Sequence, residues 1–277
     1  PEKVGRILKG YMDQGFTVVK ILSVELLMAQ EGNTCGPLDW VDELRAVEEK
    51  VRQVTRTGTR AESSAANALL YDFNRIPHPF TNMHVTEQGL DQLDEYIGRV
   101  RSVIGTKVPL AIDHFGHFPL PDMIKIARRL EKYHLAWLED MLPWYLTDQY
   151  RELKHATTAP IATGEDMYLA ESFEPLLQAG ALDVVHPDLL TSGGILETKK
   201  LGDLAARYGA SMALHMCESP VAALAGAHMA TASENFFAQE HDAFDSEWWQ
   251  DLIIGPVKPI VKDGFTVITD APGLGIE

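Results

Sequence analysis

Asp113, Glu139 and Glu165 each close a short apolar run, and they recur at an interval of 26 residues. The runs are Leu110-Ala111-Ile112, Ala136-Trp137-Leu138 and Pro160-Ile161-Ala162-Thr163-Gly164. Carboxylates gathered at one point repel one another, which is costly without compensation. A hard divalent cation with oxygen ligands relieves that repulsion, and Mg²⁺ is the candidate such a trio selects. His215 closes a fourth run, Ser211-Met212-Ala213-Leu214, 27 residues after Asp188. A carboxylate beside a histidine holds one ring nitrogen and favours the protonated form, so His215 and Asp188 form a candidate acid–base dyad. Lys20, on the run Phe16–Leu22, is either a solvated lysine or a cation placed to neutralise an oxyanion. Glu240, after Phe236–Gln239, is a site carboxylate or a salt-bridge partner. His114, His117 and His186 are further candidates, each equally readable as a polar loop residue; His117 follows Asp113 closely enough to reach a ligand.

The elements that must position these residues follow from periodicity. Between the apolar runs lie amphipathic segments with helical spacing, such as Met123, Ile126, Ala127 and Leu130. Alternating strand and helix predicts βαβ units and a parallel sheet, and in a parallel barrel the strand ends share one rim. Seven strands are expected, ending near Lys20, Asp113, Glu139, Glu165, Asp188, His215 and Glu240, all of them ionisable. The chain opens on a helix, Pro1 to Gln14, that feeds the Lys20 strand. A barrel would therefore have a strand before it, and the seven would be numbers two to eight.

Residues from about 24 to 85 break the rhythm. Asp39 can cap a helix carrying Val41, Leu44, Val47, Val51 and Val54, and the stretch from Thr55 to Asn82 is polar. Such an insertion after a barrel strand is either a lid over the rim or a peripheral decoration or oligomer contact. Ser219-Pro220 starts an alanine-rich helix to about Thr231, and Asp263-Gly264 between β-branched runs predicts a hairpin. The expected division is a (β/α) barrel over residues 1–256 and a closing segment over 257–277.

The chain has 277 residues and a formal net charge of −16, which argues against nucleic acid and anionic membrane surfaces as partners. No apolar run approaches membrane-spanning length. Cys35 and Cys217 have no metal-type spacing, so reduced thiols and a cytoplasmic setting are expected. Nucleotide-binding glycine loops and the short signatures CxxC, HExxH and GxSxG are absent from the sequence.

Taken together, several motifs resemble the mandelate racemase and muconate lactonising enzyme family of the enolase superfamily. They are Gly15-Phe16 with Lys20, Ile112-Asp113, Leu138-Glu139-Asp140 followed by Pro143, and Gly164-Glu165. Pro187-Asp188 with Gly193-Gly194, His215 with Ser219-Pro220, and the tail Asp270-Ala271-Pro272-Gly273-Leu274-Gly275-Ile276 complete the set. The resemblance implies a TIM-type (β/α) barrel with an α+β capping domain, most of which would precede Pro1 and to which residues 257–277 would return. It implies Mg²⁺ on Asp113, Glu139 and Glu165, and the dyad role for Asp188 and His215. Lys20 becomes the first lysine of a Lys-x-Lys motif, and Glu240 a hydrogen-bonding partner of the substrate carboxylate or enolate. Superfamily sites use a Lys or His base with Mg²⁺.

Two departures shape the expected reaction. The second lysine position is Leu22, which cannot move a proton and so argues against a two-base racemase. Phe115 stands where many relatives have a polar residue, which leaves His117 as the substitute acid. The expectation is a homo-oligomeric, Mg²⁺-dependent lyase that takes the α-proton of a sugar acid and eliminates water to give a 2-keto-3-deoxy acid. Epimerisation or cycloisomerisation through the same enediolate, a lapsed metal-binding barrel, and a two-carboxylate hydrolase are the alternatives.

Overall fold

Seven short parallel strands carry most of the residues singled out above. The computed structural model describes residues 1–22, 27, 31–36, 38–74, 83–113, 118–241, 248–255 and 258–277. The strands are β1 (Val19–Leu22), β2 (Thr34–Cys35), β3 (His84–Val85), β4 (Leu110–Asp113), β5 (Leu138–Glu139), β6 (Ile161–Thr163), β7 (Val184–Val185), β8 (Ser211–Leu214), β9 (Phe236–Gln239), β10 (Val261–Lys262) and β11 (Phe265–Thr266). The helices are α1 (Glu2–Asp13), α2 (Leu38–Thr57), α3 (Arg60–Asn74), α4 (Glu87–Ile104), α5 (Leu120–Leu130), α6 (Thr147–Ala156), α7 (Leu169–Gln178), α8 (Leu189–Ser192), α9 (Ile195–Arg207) and α10 (Pro220–Thr231). The main sheet runs β1-β4-β5-β6-β7-β8-β9, every neighbouring pair parallel. This is the α/β barrel architecture expected, with the seven expected strands in chain order.

Strand alternation sorts the side chains into two layers. Val19, Ile21, Leu110, Ile112, Leu138, Ile161, Val185, Met212 and Leu214 belong to the main core, shared with helical residues such as Leu93, Ile97, Met123 and Ile126. The alternate positions form a separate inner cluster of Ala111, Trp137, Ala162, Val184 and Ala213, with Val18 packed on it. The small residues have a reason: Trp137 fills the space that larger side chains on neighbouring strands would otherwise need. One step further along each strand, the same face carries Lys20, Asp113, Glu139, His186 and His215.

Helix ends are set locally. Thr86 caps α4 by accepting from the N–H of Gly89, and Ser219 caps α10 by accepting from that of Ala222. Asp188 caps the single turn α8 through Leu190 and Thr191.

The segment that broke the βα rhythm is a helical pair, α2 packed on α3, bracketed by β2 and β3 pairing antiparallel. The polar stretch beginning at Thr55 is helical over Arg60–Asn74. Its start is a capping box: Glu62 accepts from Thr59 N–H and hydroxyl, both at 2.7 Å, and the Glu62 N–H returns to Thr59 Oγ1 at 3.3 Å. The expected hairpin at Asp263-Gly264 is present as β10–β11, with both turn residues at positive φ. A Cβ on Gly264 would stand 2.0 Å from the Gly15 carbonyl oxygen, so only glycine permits this approach.

Candidate active site

Lys20 sits at the centre of the charged cluster. Its Nζ lies 2.9 Å from Asp113 Oδ2, 2.8 Å from Glu139 Oε1 and 2.7 Å from Glu240 Oε1. These contacts join β1 to the residue after β9, so the tips of the first and last strands of the sheet meet at the site. Phe16 stacks on His241 beside them, with ring centroids 6.4 Å apart. A cavity of about 360 Å³ opens here, lined by Lys20, Asp113, Trp137, Glu165, His186 and His215 among others. Burial works against the Lys20 ammonium, but Glu139, Glu240 and Asp113 outweigh it and hold its pKa well above the usual lysine value.

Glu139 is fully buried. The Trp137 indole N–H donates to its Oε2 at 2.6 Å. His186 Nε2 lies 3.2 Å from Glu139 Oε1 and 3.7 Å from Glu240 Oε2, yet forms no aligned hydrogen bond with either. The attraction there is between charges. Burial opposes a protonated His186, but Glu139 and Glu240 push its pKa up to about 10. Burial likewise disfavours the Glu240 anion, and His186 and Lys20 bring its pKa down to about 2.

A second cluster faces the first. His215 Nδ1 lies 2.7 Å from Asp188 Oδ2, and Nε2 lies 3.5 Å from Glu165 Oε2 and 3.8 Å from Glu240 Oε2. The β7 and β8 tips register these two residues, for Asp188 and His215 form an isolated parallel bridge. Asp188 Oδ1 accepts from the N–H groups of Leu190 and Thr191 at 2.7 and 3.2 Å. Burial alone would raise the Asp188 pKa; His215, Glu218 and those N–H groups lower it to about 2. Burial also opposes the His215 imidazolium, while Asp188, Glu240 and Glu165 raise its pKa. The dyad therefore keeps an ionised carboxylate on one ring nitrogen and aims the other at the acidic cluster.

The carboxylates fit a hard cation. Asp113, Glu139, Asp140 and Glu165 offer oxygen atoms that all lie within 4.8 Å of one another. Burial, with the charges of Glu139 and Glu165, pushes Asp140 up to about 7. Oxygen donors at this density match Mg²⁺ rather than a thiophilic ion.

The structure thus brings together Lys20, Asp113, Glu139, Glu165, Asp188, His215 and Glu240. His117, with His114 and Phe115, lies outside the described residues. His186 takes a larger part than its sequence suggested, and alternation from Val184 is the signal that points to it. Asp140 joins the carboxylates although its motif was read only through Glu139; its positive φ of 46° turns the chain at the strand end, and Thr163 Oγ1 donates to it at 2.5 Å. Trp249 is buried with its indole N–H on the Glu218 carbonyl at 2.7 Å, whereas Trp248 is exposed.

A parallel α/β sheet whose strand tips gather carboxylates, a lysine and a His–Asp dyad defines an acid–base barrel domain. Residues 78–277 match the enolase C-terminal domain-like family model, and the chain belongs to that family. Among curated proteins it is 33% identical over 195 residues to a D-xylonate dehydratase of Haloferax volcanii, covering 70% of this chain and 47% of that protein. A D-gluconate/D-galactonate dehydratase of Picrophilus torridus is 27% identical over 202 residues, covering 72% and 51%. The chain spans about half the length of the curated relatives it matches. Among solved structures, a mandelate racemase/muconate lactonizing enzyme-like protein from Rubrobacter xylanophilus superposes with a TM-score of 0.77 at 26% identity, covering 100% of this chain and 58% of that one. The 3,6-anhydro-D-galactonate cycloisomerase from Zobellia galactanivorans superposes with a TM-score of 0.62 at 28% identity, covering 68% and 53%. Enolase-superfamily enzymes generally use Mg²⁺, in keeping with the oxygen donor set. Among the described residues no helix is long and apolar enough to cross a membrane.

Proposed function

We propose that the chain carries the catalytic barrel of a Mg²⁺-dependent acid-sugar dehydratase, with Asp113, Glu139 and Glu165 as the ligand set. The observation that carries this reading is His215, held by Asp188 on one nitrogen and turned toward Glu165 and Glu240 with the other. When bound, the cation would supply positive charge that holds the substrate carboxylate and acidifies its α-proton. His215 Nε2 is the atom positioned to take that proton or to return one after water leaves. Asp188 keeps the imidazole in the orientation and tautomer that this requires. The Lys20 ammonium, fixed among three carboxylates, is preorganised to stabilise charge developing on the substrate. Glu240 holds Lys20 in place and, ionised, is positioned to accept a hydrogen bond from a substrate hydroxyl.

At one wall of the cavity the described residues place a side chain that cannot accept a proton. On β1, Leu22 lies on the same face as Lys20, lines the cavity and is exposed. A proton delivered from the His215 side alone suits elimination with protonation of one face. The dehydratase names of the curated relatives point to aldonic acids of the xylonate and gluconate kind as substrates.

The test is a panel of mono- and di-acid sugars, assayed with Mg²⁺ for 2-keto-3-deoxy acid formation. Turnover of at least one aldonic acid, lost in His215→Asn and after chelation, is expected. α-Hydrogen exchange with solvent deuterium without keto acid would instead assign epimerisation or cycloisomerisation, the activity of one structural neighbour. Full dehydration by His215→Asn would overturn the base assignment.

A further inference from the structure

Beside the cavity, where β8 leads into α10, lies a second donor set of different chemistry, two of its members, His215 and Cys217, lining the cavity itself. A ring nitrogen of His215, Cys217 Sγ and a Glu218 carboxylate oxygen all lie within 4.8 Å of one another. We infer that His215, Cys217 and Glu218 form a binding site for a thiophilic divalent ion of the Zn²⁺ or Cd²⁺ type, distinct from the all-oxygen cluster.

Three features support it. The first is donor type. Thiolate, imidazole and one carboxylate are the ligands borderline and soft ions select, whereas Mg²⁺ and Ca²⁺ take oxygens. The second is spacing. Zinc bonds of about 2.0–2.3 Å in a tetrahedron put ligand atoms roughly 3.3–3.8 Å apart, so closing the trio needs side-chain shifts of about an ångström. The third is support. The β8–α10 connection that carries Cys217 and Glu218 is pinned at both ends. Trp249 N–H donates to the Glu218 carbonyl at 2.7 Å, Ser219 caps α10, and Asp188 holds the His215 ring. A carboxylate on the ring is the arrangement that orients metal-binding histidines in general.

Cys217 is exposed and lines the main cavity, so an ion reaches it from solvent. Occupancy would engage the His215 imidazole. Where the dehydratase reading holds, thiophilic ions would then silence turnover while Mg²⁺ sustains it. The binding site itself does not depend on that reading.

The test needs no variant at first. The chain is treated with a maleimide in excess Mg²⁺, with or without Zn²⁺, and labelling of each cysteine is read by mass spectrometry. Zn²⁺ should protect Cys217 while Cys35, also exposed, remains labelled and serves as the internal control. Mg²⁺ alone should protect neither. Titration of Cys35→Ser protein with Cd²⁺ should then show one thiolate-to-cadmium charge-transfer band. Cys217→Ser in that background should abolish it, and His215→Asn and Glu218→Gln should each weaken the affinity by about tenfold or more. Equal labelling of both cysteines in Zn²⁺ overturns the site. So does an affinity unchanged within about twofold in both ligand variants, which would mean a thiolate acting alone.

Discussion

Trp137→Phe tests whether the barrel interior and the acidic site are one unit. Trp137 fills the space between Ala111, Ala162, Val184 and Ala213, and its N–H donates to the fully buried Glu139 at 2.6 Å. Phenylalanine keeps the aromatic plug but deletes the donor. A hydrogen bond to a charged group contributes about 1.5–3 kcal/mol, and a buried acceptor left short of a donor carries the desolvation penalty. The smaller ring adds a void of roughly 40 Å³, worth about 1 kcal/mol at ~24 cal/mol per Å³. The expected loss is therefore about 2.5–4 kcal/mol. The measurement is urea unfolding at neutral pH in chelator, followed by circular dichroism because the substitution changes the fluorescence. Combining it with Glu139→Gln in a double-mutant cycle isolates the pair, and coupling of about 1–3 kcal/mol is expected. A loss below about 1 kcal/mol with additive effects would refute the claim that the indole holds the carboxylate.

Mg²⁺ at about a hundred times its dissociation constant should add about 2.7 kcal/mol of stability, read as a rise in melting temperature; Asp113→Asn should remove most of that rise. Gly164→Ala should destabilise by about 1–3 kcal/mol in the same unfolding assay, because its φ is 147° and a Cβ would stand 2.5 Å from Phe173 Cε1. Burial pushes His241 down to about 4, so it stays neutral in the folded protein at pH values where the unfolded chain binds a proton. Its contribution to stability is therefore complete above about pH 6.5 and lost as pH falls toward 4. The urea midpoint should drop over that window, and His241→Phe should flatten the drop.

Much of this protein is legible before any fold is known. The 26-residue spacing of Asp113, Glu139 and Glu165 reflects the length of one βα unit, so equivalent strand ends can be read by counting. The seven strands and the α10 cap at Ser219 follow from alternation and from local capping chemistry, which act over a few residues. The α2–α3 pair was legible only in part. The Thr59–Glu62 capping box lay in the polar stretch, but composition alone obscured a helix whose partner is another helix.

Other features exist only once the sheet curls. Lys20 and Glu240 are 220 residues apart in the chain, and no local pattern says that they meet at 2.7 Å. The involvement of His186 and Asp140 depends on which neighbours crowd them, not on their own flanking residues. Residue order determined which side chains could reach the rim, because periodicity is a property of single strands and helices. Packing across the sheet decided which charges touch, because electrostatic energy depends on distances that only the curled arrangement sets.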